Sequence, residues 1–137
     1  MRFGASSLSF ALLALAAAGP LPAAAQDSDP SEPLTYEQSV RCSTIYTLLA
    51  GSMDEGSAEA AGLQETAERW LLMATARDGT EDGSKSLTDY KAALDALIAK
   101  VNSMENDDAG ITSFLEGHLA TCEGLQGENS VEFDTVQ

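Results

Sequence analysis

The sequence predicts an all-α protein, a small up-down-up-down four-helix bundle with one disulfide joining helices 1 and 4. Three observations predict it. Apolar residues recur at helical spacing in four separate segments, and no alternating strand pattern of useful length appears. The connections between the segments are short and polar, which favours antiparallel neighbours. The two cysteines, Cys42 and Cys122, fall on the first and last apolar stripes. An up-down-up-down path brings those two places to the same end of the bundle.

Residues 1–25 read as a secretory signal peptide. Arg2 supplies the charged start, and the apolar run from Leu8 to Ala18 is shorter than the ~20 residues a membrane span needs. Gly19 and Pro20 break the run, and Ala23-Ala24-Ala25 is the small-residue pattern that a signal peptidase reads. Cleavage after Ala25 leaves a polar leader, residues 26–34, then a four-helix domain over 35–125 and an acidic tail over 126–137.

Helix 1 is predicted to start after Thr35, with Gln38 completing a capping box. Cys42, Ile45, Tyr46 and Leu49 share one face, and Gly51 is the expected terminator. Helix 2 is expected from Ser57 to about Arg77, with Leu63, Ala67, Trp70, Leu71 and Ala74 as its stripe and Gly79 beyond its end. Helix 3 is expected to be capped by Ser86. Its stripe of Leu87, Tyr90, Leu94, Leu97, Ile98 and Val101 is the clearest amphipathic pattern in the chain. Asp107 or Asp108 caps helix 4, where Ile111, Phe114, Leu115, His118, Leu119, Cys122 and Leu125 lie on one side and Gly124 and Gly127 mark the end. The last residues read as a frayed tail, in which Phe133 is the one ring able to dock back.

An exported chain matures in an oxidising compartment, so a Cys42–Cys122 disulfide is the default reading, in a periplasmic or secreted protein. In the chain-entropy picture a loop of this length stabilises by about 4 kcal/mol. Without Arg2, 22 acidic residues stand against 6 basic ones, a net charge of −16. Such a chain has no basic face for nucleic acid and is repelled by anionic membrane surfaces. No stable membrane insertion is expected after signal cleavage.

Two stretches are candidate sites. Asp78 to Asp89 resembles the twelve-residue calcium loop of an EF-hand: Asp78, Thr80 and Asp82 would stand at positions one, three and five, and Gly83 at the sharp turn. Ser84 would offer its carbonyl and Asp89 would close the loop, whereas Lys85 departs from the pattern by adding a positive charge. The resemblance implies calcium as a ligand; helix capping accounts for the same residues. A poorer match runs from Glu105 to Glu116. The second candidate is the run Trp70, Leu71, Leu72, Met73, part of which must lie off a narrow core face. Trp70, Leu72 and Met73 are therefore candidate contacts for a protein or peptide partner, unless helix 2 is buried all round.

No catalytic signature accompanies these features. There is no GxSxG, no phosphate-cradling glycine loop and no CxxCH, and the single histidine, His118, cannot make a zinc site alone. The expected function is a non-enzymatic protein- or peptide-binding accessory module. The alternative is a calcium-binding protein using residues 78–89.

Overall fold

A computed structural model describes residues 32–137. The expected signal peptide, residues 1–25, and the leader as far as residue 31 lie outside the described residues. The described part is all-helical, with α1 Tyr36–Ser52, α2 Ala58–Thr75, α3 Ser84–Asn102, α4 Asp108–Glu128 and α5 Ser130–Thr135.

The helices begin where side chains can satisfy the free N–H groups of a first turn. Thr35 Oγ1 accepts the Gln38 N–H at 3.1 Å, and the Gln38 side chain accepts the Thr35 N–H at 2.9 Å, so the capping box of α1 is complete. Ser57 Oγ accepts from the Ala60 N–H, and Asp107 Oδ1 from the Gly110 N–H, in the same manner.

Helix α3 starts differently from the expectation. Ser86 is not its cap; the cap is Gly83, three residues earlier, whose φ of +67° suits glycine. Asp82 Oδ1 accepts the Ser84 N–H at 3.0 Å, and Asp78 Oδ2 reaches over from the end of α2 to accept the Ser86 N–H at 3.1 Å. Capping thus comes from two upstream carboxylates. The Ser86 hydroxyl is left free to donate to the Gly83 carbonyl and to lie 2.8 Å from Thr75 Oγ1, fully buried in the α2–α3 corner.

Around these helices the core collects Leu34, Cys42, Tyr46, Ala67, Trp70, Met73, Cys122 and Phe133. Cys42 and Cys122 form the disulfide between α1 and α4, with Cα atoms 5.5 Å apart and both residues buried. Helix α1 is the spine: it packs against α2, α3 and α4, and α2 also packs against α3.

Residues 126–137 hold more order than a frayed tail. Helix α4 continues past Gly124 to Glu128, and α5 follows. Phe133 is 4% exposed and sets its ring 5.4 Å from that of Trp70. Arg69 Nη1 donates to the carbonyls of Phe133 and Asp134, and Arg77 pairs with Glu132 at 2.6 Å. Helix α5 is too short to persist by propensity alone; docking holds it.

Candidate binding groove

Helices α3 and α4 follow one another in sequence, yet they approach each other less closely than any other consecutive pair of helices. Their apolar stripes are consequently unfinished. On α3, Tyr90, Leu94, Leu97 and Val101 are half-buried, while Leu87 and Ile98 are 57% and 38% exposed. On α4, Ile111, Phe114, Leu115, His118 and Leu119 are half-buried, and only Cys122 is fully enclosed. The cleanest amphipathic pattern in the sequence is thus the one its own fold covers least.

Between α1 and α3 runs a groove of about 520 Å³. Val40 and Ile45 of α1 form its floor, Ala93, Ala96 and Leu97 of α3 one wall, and His118 reaches it from α4. A second hollow of about 270 Å³ lies further along α1 and α3, bounded by Leu48, Gly51, Leu94 and Ile98. The first volume falls in the range of pockets that enclose drug-sized ligands.

Polar groups gather at one end. Tyr36 donates its hydroxyl to Asp89 Oδ2 at 2.9 Å, which ties the start of α1 to the second turn of α3. Lys85 Nζ stands 2.9 Å from the same carboxylate oxygen and 3.7 Å from the centroid of the Tyr36 ring. Burial, and then the bond to Asp89, push the Tyr36 phenol above its ordinary value. Lys85, followed by Tyr36, holds the Asp89 carboxyl below the usual carboxylate range, and Asp89 in turn raises the Lys85 ammonium. Arg41 also lines the groove, exposed. The ion pairs among the described residues are Arg69–Glu65, Arg77–Glu132 and Lys85–Asp89, so Arg41 is the arginine that belongs to none.

The EF-hand-like stretch does not assemble a calcium cage. Asp78 Oδ1 accepts the N–H and the hydroxyl of Thr80 at 2.7 and 2.8 Å, and its second oxygen caps Ser86. The Thr80 N–H is the main reason that the Asp78 carboxyl is held low. Asp82 caps Ser84, and Ser84 already belongs to α3, where its carbonyl accepts from the Thr88 hydroxyl. Asp89 faces α1 and Lys85. The helix therefore starts too early for a twelve-residue loop, and the carboxylates serve separate ends. In the poorer match, Asp107 is a helix cap. Among the described residues, no group of three or more His, Cys, Asp or Glu side chains is placed to hold a metal ion.

The apolar run of α2 is also placed differently from a surface patch. Trp70 and Met73 are fully buried, because α1 covers one side of α2 and Phe133 of α5 covers the Trp70 ring. Leu72 alone of the three candidates is exposed, at 38%. His118 packs edge-on against Phe114, with ring centroids 4.6 Å apart. Sequence reasoning did not single out Val40, Arg41, Ala93 or Ala96. The available signal was the group of alanines beside the stripe of α3, which marks a face without bulk. Protein-family models, curated proteins and solved structures, compared with this chain, give no match.

Proposed function

We propose that this protein is a non-enzymatic binding module of the periplasm or the secreted space, and that its groove takes an apolar segment of a protein or peptide partner. One observation carries the reading: α1 and α3 leave a largely apolar groove open between them, with Val40 and Ile45 as its floor and His118 of α4 at its edge. Apolar surface kept open in this way is the usual mark of an interaction site. The disulfide supports a life outside the cytoplasm.

Display of random peptides against the immobilised protein tests this. Peptides enriched on the protein should be lost on the Ala96→Trp variant, whose indole fills the groove from an exposed position. Enrichment that survives this substitution, or no enrichment at all, refutes the reading.

A further inference from the structure

We infer that the segment taken by the groove is the C-terminal end of an apolar peptide, whose terminal carboxylate pairs with Arg41; this rests on the groove being a peptide site. The first argument is charge complementarity. The chain carries 7 basic residues against 22 acidic ones, so a cation here has carboxylates in plenty to pair with. Arg69 and Arg77 are both engaged, chiefly with α5, and Lys85 is neutralised by Asp89. Arg41 stands at the groove with its guanidinium outside any ion pair among the described residues, exposed and free to receive a planar anion through two parallel N–H donors. Glu37, one turn earlier on α1, also lines the groove. Its negative charge repels a ligand carboxylate, so the carboxylate sits on the side of Arg41 away from Glu37.

The second argument is the shape of the groove. The Tyr36–Asp89–Lys85 bridge spans from α1 to α3 at the Glu37 end. A chain arriving along the groove must stop there, which suits a terminus and not an Asp or Glu side chain in mid-segment. From Arg41 the occupant runs towards Ser52, over Leu97 and then over the hollow of Leu48, Leu94 and Ile98. The helical rise makes this path roughly 17 Å, room for about five extended residues. Catching a C-terminal carboxylate is a recurrent mode of peptide recognition, here carried by a side chain.

The test uses labelled five-residue peptides built from Leu, Val, Ala and Phe, each made with a free carboxylate and as the C-terminal amide, with binding read by fluorescence anisotropy. The expected result is about tenfold tighter binding of the carboxylates, the scale of one charge-assisted pair, shrinking as salt is added. Arg41→Gln should abolish this difference between acids and amides, and Ala96→Trp should remove binding of both sets. Amides that bind as well as acids, or a preference that survives Arg41→Gln, overturn the inference and leave the peptide groove standing. Failure of both sets to bind, or binding indifferent to Ala96→Trp, overturns the groove reading itself. Displacement of the peptides by palmitate at lower concentration than by any peptide acid assigns the groove to fatty acids and overturns the peptide terminus.

Discussion

Replacing Phe133 with alanine should detach α5 and unseal Trp70. The Phe133 ring is almost wholly enclosed and lies against an indole with no exposure of its own. Truncating an enclosed phenylalanine costs about 3–5 kcal/mol. Because Phe133 sits on a six-residue helix that can lift away, the loss should lie at the lower end, about 3 kcal/mol. For a domain of this size each kcal/mol moves Tm by roughly 4–8 °C, so the melting point should fall by roughly 12–24 °C. Trp70 is the only tryptophan in the chain, and its emission should move to longer wavelength below the melting point as water reaches the ring. Glu132→Gln is the control. It removes a half-exposed ion pair with Arg77 and keeps the ring, so it should cost under about 1 kcal/mol and leave the emission unchanged. Thermal unfolding followed by circular dichroism and by fluorescence gives both readouts. If Phe133→Ala melts within about 3 °C of the unaltered protein and Trp70 emission stays where it was, α5 does not seal the core and the reasoning fails.

Three further outcomes are expected. Reducing the buried Cys42–Cys122 bridge while keeping both sulfurs should lower stability by about 4 kcal/mol in urea unfolding, and a loss below about 1 kcal/mol would show that the loop constraint is unimportant. Gly83→Ala should cost about 2 kcal/mol by the same measurement, since it places a side chain at φ +67° with a Cβ only 2.7 Å from Thr75 Cγ2; a neutral result would mean that the α2–α3 corner is built otherwise. Asp78, Asp89 and Glu132 are held below their ordinary carboxylate values by Thr80, Lys85 and Arg77. Depressed carboxylates contribute stability above the unfolded-state values of about 4, and that stability is lost as pH falls through the folded ones. Unfolding midpoints should therefore drop below about pH 4, less steeply in Asp78→Asn, and a profile that stays flat to pH 2 would contradict the assignment.

Much of the framework was legible because it is written locally. Thr35 with Gln38, Ser57 and Asp107 each announce a helix start within four residues, and the stripes carrying Cys42 and Cys122 fix which helices the bridge joins. The start of α3 was not, because its caps act over distance: Asp78 serves a backbone group eight residues on, from the far side of a turn. Helix α5 was hidden for a related reason. Val131, Phe133 and Val136 are too few to show a period, and the helix exists because Arg69 and Trp70 of α2, with Arg77 just beyond it, receive it. The groove is the deeper case. A stripe on α3 says that a face is apolar, but whether another helix covers it depends on where α4 comes to rest. The same gap explains Trp70, which looks available for a partner until α5 is placed on it.

The central position of α1 has a consequence for the order of assembly. Helices α1, α2 and α3 are consecutive in the chain and pack on one another, so they form a nucleus made of near-neighbour contacts, the kind that forms fast. Helix α4 has no such neighbour before it. It packs chiefly on α1, across a sequence separation of 80 residues, and is then fastened by the disulfide and by α5. The molecule thus divides into an early three-helix foldon, which holds the groove between α1 and α3, and a late-arriving arm that adds His118 at its edge. Slow amide exchange should concentrate in α1 and α2, and whatever occupies the groove should slow exchange in α3 more than in α4.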